Sequence, residues 1–279
     1  MNKRFIRIIP KLDIKNGLLI KGINLEGLRV LGDPYKFAEC YYNYNADEIY
    51  YVDNVATLYG TNNLSKFVSK TAKNIFVPLA VGGGIKSLND IEKFLKNGAD
   101  KICINSAAIN NIKLVRDASR VFGSSTITTV VEALKIENKY FLTKSNGRDL
   151  VKKNPVDWAK QLEDFGSGEI FLTSINNEGI QKGFDIDITK KVSRAVSIPV
   201  IAHGGAGSMK DVYEVIVKTN ISGVSLASIL HYDICKNFKF KKPKIGNINF
   251  LEKGEKKKTR NLIQVLKKYL SKKGVNVRL

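Results

Sequence analysis

Apolar residues along the chain fall in short runs of strand length, alternating with longer stretches whose apolar positions recur at helical spacing. The short runs lie at Arg7–Ile14, Glu48–Asp53, Ile75–Val81, Lys101–Asn105, Ile127–Glu132, Glu169–Thr173, Ile198–Ala202 and Gly223–Ala227. Between them the spacing predicts helices over Pro34–Tyr44, Leu64–Lys73, Leu88–Asn97, Ile112–Val121, Pro155–Phe165, Asp187–Ala195 and Met209–Thr219. The strand runs are β-branched and apolar. The helix openings carry Asp, Ser or Asn caps, as in Gly32-Asp33-Pro34, where proline takes the first helical position. Eight strands alternating with helices predict a parallel sheet, open or closed. Eight is also the number that closes a (β/α)8 TIM barrel.

An internal repeat decides for closure. Val77-Pro78-Leu79-Ala80-Val81-Gly82-Gly83-Gly84-Ile85 echoes Ile198-Pro199-Val200-Ile201-Ala202-His203-Gly204-Gly205-Ala206 at an offset of 121 residues. Ser87 and Asp90 pair with Ser208 and Asp211 at the same offset, and Glu48-Ile49-Tyr50-Tyr51 pairs with Glu169-Ile170-Phe171-Leu172. Each half then carries four βα units, and two homologous half-barrels make one closed ring spanning residues 1–279. Beyond Tyr232 the pattern changes. Residues 233–260 are basic, without clean periodicity, and are expected to form a surface insertion before a last helix near Asn261–Lys272.

In a barrel of this kind the working groups come from the C-terminal ends of the strands and the loops after them. Two glycine loops stand there, Gly82-Gly83-Gly84 and Gly204-Gly205-Ala206-Gly207. Glycine lets backbone approach an anion and leaves N–H groups to receive it, although tight turns also use glycine for geometry alone. Each loop is followed one strand later by a small polar pair, Asn105-Ser106 and Ala227-Ser228. Two symmetric copies predict two phosphate clamps on opposite sides of one mouth. Between them, Asp13 at the end of the first strand and Glu132 at the end of the fifth are counterparts. Two carboxylates across a mouth suit general acid/base work. The plainer reading is a loop cap, or a pair with Lys15 or Lys21. At the other end of the strands stand two cations and two anions, Arg7, Glu48, Lys101 and Glu169. Buried charges persist when paired, so these four are expected to form a ring on the barrel floor, as a structural plug or as a gate over a central passage.

Composition adds limits. The 279 residues are 43% hydrophobic and 26% charged, which excludes wholesale disorder. No apolar run reaches membrane-span length. The basic start is interrupted by Arg7 and Pro10 where a signal peptide would keep an apolar core, and the three cysteines have no paired spacing, so a cytoplasmic setting is expected. The net charge of +20 invites a nucleic-acid reading. Its lysines are scattered, however, with concentrations at Lys239–Lys244, Lys253–Arg260 and Lys267–Lys273 and no aromatic interleaving, so no specific nucleic-acid partner is expected. No metal constellation and no nucleotide redox fingerprint is present, and no cofactor is inferred.

Taken together, Arg7-Ile8-Ile9-Pro10-x-Leu12-Asp13, Val81-Gly82-Gly83-Gly84-Ile85, Ala99-Asp100-Lys101-x-x-Ile104-Asn105, Gly168-Glu169-Ile170-x-Leu172-Thr173-Ser174-Ile175, Gly204-Gly205-Ala206-Gly207 and the ending Lys273-Gly274-Val275-Asn276-Val277-Arg278-Leu279 resemble the cyclase subunits of imidazole glycerol phosphate synthase. The resemblance runs from about Arg4 to Tyr232 and resumes at the last helix. It implies a protein that takes ammonia from a glutaminase partner docked at the barrel floor and adds it to a bisphosphorylated ribulosyl-formimino carboxamide ribonucleotide. The implied products are imidazole glycerol phosphate and aminoimidazole carboxamide ribotide. By the same resemblance Asp13 and Glu132 are the catalytic pair, glutamate standing where the family has a second aspartate. Lys21 and Asp53 match residues near the active site. Gly83, Gly84, Asn105 and Ser106 fall on one phosphate site. Thr173, Glu178, Gly179, His203, Gly204, Gly205, Ala227 and Ser228 fall at or beside the other. Arg7, Glu48, Lys101 and Glu169 match an ammonia gate. Lys11 in place of cysteine, His203 in place of serine and Glu132 depart from the family pattern. They point to an alternative, a paralogue that uses ammonia to amidate a sugar precursor in surface-polysaccharide synthesis.

Overall fold

The structure, a computed structural model, describes residues 4–54, 64–237 and 261–279. In chain order its first half runs β1 (Arg7–Lys15), β2 (Leu18–Ile23), β3 (Glu26–Gly32), α1 (Pro34–Asn43), β4 (Ile49–Asp53), α2 (Leu64–Ala72), β5 (Leu79–Gly82), α3 (Leu88–Lys96), β6 (Lys101–Ile104), α4 (Ser106–Asn110) and α5 (Lys113–Phe122). The second half runs β7 (Ile127–Ile136), β8 (Lys139–Lys144), β9 (Asp149–Val151), α6 (Pro155–Asp164), β10 (Glu169–Ser174), α7 (Ile186–Ala195), β11 (Val200–His203), α8 (Met209–Lys218), β12 (Gly223–Leu226), α9 (Ser228–Asn237) and α10 (Leu262–Lys272). Strands β1, β4, β5, β6, β7, β10, β11 and β12 pair in parallel in that order, and β12 returns to pair with β1. The sheet is therefore a closed (β/α)8 barrel.

The expected repeat is visible in the local chemistry. Ser87 and Asp90 form a capping box at the start of α3, and Ser208 and Asp211 form the same box at the start of α8. Gly83 and Gly204 share φ near +100°, and a Cβ on either would meet a carbonyl, that of Asp53 at 2.3 Å or of Ser174 at 2.8 Å. Only glycine fits these two turns without displacing backbone.

Apolar residues between the strands and the helices make the main core, with Trp158, Tyr41, Phe37 and Phe94 among its largest enclosed side chains. A smaller cluster fills the barrel interior: Ile9, Tyr50, Ala80, Cys103, Phe171 and Ile201. Tyr50 and Phe171 meet edge to face there, with centroids 4.6 Å apart. This layer separates the floor of the barrel from its mouth.

Most predicted elements fall within a residue or two of their observed bounds. The runs at Ile75–Val81 and Ile198–Ala202 start pairing later, at Leu79 and Val200, each just after a proline with no N–H for the ladder. Helix α9 continues through Asp233 to Asn237, so the basic insertion does not begin at residue 233; the rest of it, 238–260, lies outside the described residues. Two hairpins extend barrel strands beyond the mouth, β2–β3 from β1 and β8–β9 from β7. At the opposite end, buried Lys267 of α10 donates to Asn45 O and Asp47 Oδ1, both at 2.7 Å, and fastens the last helix to the barrel. Among the described residues no helix is long and apolar enough to cross a membrane.

Candidate functional site

The floor ring forms as a closed cycle. Arg7 donates to Glu48 at 2.7 Å and to Glu169, while Lys101 Nζ donates to Glu48 at 3.1 Å and to Glu169 at 3.0 Å. Each carboxylate thus accepts from both cations, and Thr128 Oγ1 adds a contact to Glu169 at 3.3 Å. Burial pushes the Glu48 carboxyl up while Lys101 and Arg7 oppose it. Side chains at every second residue of a strand share a face, so Arg7, Ile9, Lys11 and Asp13 form an inward column from floor to mouth.

At the mouth lies a cavity of about 310 Å³, within the size range of small-ligand pockets. It gathers Asp53, Gly83, Gly84, Asn105, Ser106, Glu132 and Thr173 from the predicted set, together with Lys11, Tyr50 and Asn146. A second, narrower pocket gathers Glu178, Gly179, His203, Gly204, Gly205, Ala227 and Ser228. The two predicted clamps are therefore separate concavities of one mouth. Buried Asn105 Oδ1 lacks a hydrogen-bond partner at the first, and Ser225 Oγ, Ser228 Oγ and His203 Nε2 lack one at the second. Unsatisfied buried polar atoms are uncommon, and these four stand where a ligand's polar groups could complete them.

Glu132 is held by the β8–β9 hairpin. Gly147 N donates to its Oε2 at 2.9 Å and Thr143 Oγ1 at 3.4 Å. Burial pushes its carboxyl up to about 7, with the Gly147 N–H, Asn105, Lys11 and Thr143 pulling the other way. The same hairpin closes over the first clamp, where Ser145 N donates to Ser106 Oγ at 3.1 Å and Asn146 Nδ2 to Asn54 O at 2.6 Å.

Asp13 is placed differently from the expectation of two carboxylates facing one space. It is buried, borders neither pocket, and accepts from the Lys11 ammonium rather than from Lys15 or Lys21. Lys11 takes the place because it lies two residues earlier on the same inward face.

Lys21 is also committed. Its ammonium donates to Glu178 Oε1 at 2.5 Å and to Gly22 O at 2.9 Å, and both side chains are almost wholly enclosed. Glu178 also takes Leu25 N at 3.4 Å on Oε2, and its backbone oxygen takes Asn24 N at 2.8 Å. The β2–β3 hairpin is thereby latched to the loop after β10, with Gly179 so close to Gly22 that a Cβ would sit 2.6 Å from its carbonyl. Burial works against ionising Glu178, yet His203 and Lys21 hold its carboxyl well below the usual range. His203 lies 3.7 Å from Glu178 and donates or accepts at Ser225 O, 3.1 Å from Nδ1; burial keeps its imidazole below the ordinary value.

Sequence reasoning passed over both hairpins. The signal was present: Asn16-Gly17 forms the two-residue turn from β1 to β2 with both φ positive, the pattern that favours tight hairpins. Glu137-Asn138 turns β7 into β8 with no such dipeptide.

A protein-family model described as "Histidine biosynthesis protein" matches residues 7–236. The imidazole glycerol phosphate synthase subunit HisF of Legionella pneumophila is 50% identical over 207 residues, which cover 74% of this chain and 98% of that protein. The subunit of the same name from Bacillus cereus (strain G9842) is 43% identical over 227 residues, 81% of this chain and 90% of its own length. These relatives carry one name, and they do not favour the sugar-precursor alternative. The chain belongs to the histidine biosynthesis protein family, on the branch of the imidazole glycerol phosphate synthase subunit HisF.

Proposed function

We propose that this chain is a cyclase subunit that adds ammonia to a bisphosphorylated ribulosyl-formimino carboxamide ribonucleotide and releases imidazole glycerol phosphate and aminoimidazole carboxamide ribotide. The observation that carries the reading is the pair of pockets whose glycine turns, Gly83-Gly84 and Gly204-Gly205, stand 121 positions apart on one mouth, with Glu132 between elements of both. A substrate phosphorylated at both ends fits that symmetry. The backbone N–H groups of Gly83-Gly84 and Gly204-Gly205 receive the phosphates, with Asn105, Ser106, Ala227 and Ser228 beside them. Asp53, Thr173, Gly179 and His203 shape the walls, and the Lys21–Glu178 pair holds the β2–β3 hairpin beside them. A carboxyl near 7 accepts and returns a proton at neutral pH, which suits Glu132 for ring closure. Asp13 completes the acid/base machinery from the first strand.

The ammonia comes from a glutaminase partner seated on the floor side, where Arg7, Glu48, Lys101 and Glu169 gate its entry. The relatives are named as subunits, which supports a partnered assembly. A cytoplasmic setting is supported by three cysteines that remain free.

The test is turnover of the purified chain with the bisphosphorylated ribonucleotide and excess ammonium at alkaline pH, followed by loss of substrate absorbance. Ammonium bypasses the glutaminase, so turnover is the expected result. A folded protein that neither binds nor converts this substrate overturns the reading.

A further inference from the structure

The second clamp pocket poses a problem of charge. Glu178 borders it and is ionised there against the cost of burial, through His203 and Lys21. His203, 4% exposed, borders the same pocket directly before Gly204-Gly205. Its Nδ1 lies 3.1 Å from Ser225 O. A carbonyl oxygen only accepts, so Nδ1 carries the proton of the neutral ring and Nε2 is left with a lone pair. That Nε2 has no hydrogen-bond partner and stands 3.7 Å from Glu178 Oε1, so two acceptors face each other. An incoming phosphate is a third. Donors surround them: helix α9 begins at Ser228, and the buried hydroxyls of Ser225 and Ser228 are unpartnered. One proton on Nε2 would place a positive charge among the three acceptors.

The charged and titratable groups facing His203 come from each element packed on it. Burial pushes the imidazole down most, Glu178 after β10 and Asp13 on β1 push it up, and Lys11 on β1 pushes it down. Lys21 of β2 acts through its ion pair with Glu178, and Tyr232 of α9 stands near Glu178 and Ser228. The ring of Phe171 on β10 packs against the imidazole with centroids 5.5 Å apart and carries no charge. The free protein therefore holds His203 neutral at neutral pH, with a counter-ion already in place.

We propose that His203 is an anion-binding residue that charges on binding: the second pocket takes a phosphate or similar dianion together with one proton from water, which goes onto Nε2. The imidazolium Nε2–H donates to the anion, and its charge offsets both the anion and Glu178. Burial opposes that charge in the free pocket, and the anion tips the balance. Binding is therefore strongest below the free-state pKa of His203 and weakens as pH rises through the higher bound-state value. That this pocket holds one end of a phosphorylated substrate rests on the function proposed above; the facing acceptors at His203 and Glu178 do not.

His203 and His231 are the only histidines, so carbon-13 labelling of the ring gives two NMR signals, assigned by the loss of one in His203→Gln. Both are titrated from about pH 5 to about pH 8 in saturating sulfate and in chloride of matched ionic strength. Sulfate keeps two charges throughout and brings no proton, so a proton gained by the ring comes from water. The amide signals of Gly204 and Gly205 report occupancy of the pocket. Sulfate is expected to raise the His203 midpoint by about 1 pH unit or more and to leave His231 unmoved. Sulfate affinity at the pocket is expected to fall about 10-fold as pH rises through this range in wild type, and to stay flat in His203→Gln. Should His203→Gln fold poorly, the wild-type midpoint decides alone. Amides that respond to sulfate beside a His203 midpoint moved by less than about 0.5 unit overturn the proposal and leave the clamp standing. Amides that respond to neither sulfate nor inorganic phosphate overturn the proposal and the clamp together. None of these readouts needs turnover, so they decide on His203 whether or not the cyclase reading survives.

Discussion

Replacing Glu132 by glutamine should make the protein more stable, and increasingly so as pH rises. Burial lifts this carboxyl from 4.5 to about 7. A folded-state value above the unfolded one means that the folded chain holds the proton more tightly, so wild-type stability falls as pH climbs from about 4.5 and levels off above about 7. The rise of about 2.5 pKa units, at about 1.4 kcal/mol each, is on the order of 3 kcal/mol. Glutamine has the same length, cannot ionise, and still offers an oxygen to the Gly147 N–H that Glu132 Oε2 accepts at 2.9 Å. The stability difference between variant and wild type should therefore grow by about 2–3 kcal/mol between about pH 5 and about pH 8, whatever constant offset the amide brings. Urea unfolding at both pH values, compared at matched denaturant slopes, measures it. A difference that stays flat would refute the reasoning, because the carboxyl would then ionise in the folded chain as freely as in water.

Lys101→Met should lower glutamine-driven turnover of the assembled complex more than ammonium-driven turnover, since Lys101 bridges Glu48 and Glu169 across the floor; equal losses would make it a structural plug. His231 has the opposite sign from Glu132. Enclosed among apolar groups with Nδ1 on Tyr41, its imidazole is pushed down to about 3, so stability present above about 6.5 is lost as pH falls towards 3. His231→Gln should flatten that acid-side loss in the midpoints of acid unfolding, and an unchanged acid profile would count against it. Gly83→Ala places a Cβ 2.3 Å from Asp53 O at φ +102° and should cost about 1–3 kcal/mol, read as a lowered Tm. An unchanged Tm would show that the turn relaxes freely.

The barrel was legible because its determinants are local and repeated: β-branched runs, proline at the head of α1, serine capping boxes and glycine turns at one offset. The floor ring was legible for a related reason, since two cations and two anions at or just before the first residues of strands can offset one another. The mouth was less so. Whether Asp13 meets Lys11, Lys15 or Lys21 depends on inward parity and on the packing of a whole layer, and parity alone admits more than one partner. The latch of Lys21 on Glu178 joins residues 157 apart, through a hairpin whose fold the strand pattern did not register. Only Asn16-Gly17 announced that hairpin, and two letters are easily absorbed into a loop.

What the repeat leaves unequal matters more for the chemistry than what it preserves. Asp13 and Glu132 are counterparts in the two halves, and two residues before them stand Lys11 and Val130. With Ile9 against Thr128 one step further down, the inward columns of the two halves differ around the carboxylates. Asp13 receives an ammonium directly, whereas Glu132 receives a backbone N–H and a hydroxyl and is left with a carboxyl near 7. Two acids in identical surroundings would titrate together and offer one function twice. Burial lifts Glu132 into the range where a carboxyl both takes and returns a proton near neutral pH. The repeat supplies the two glycine turns proposed to hold the two phosphates, while the contacts that it does not copy, the Gly147 N–H and the Thr143 hydroxyl on Glu132, set the surroundings of the carboxyl near 7.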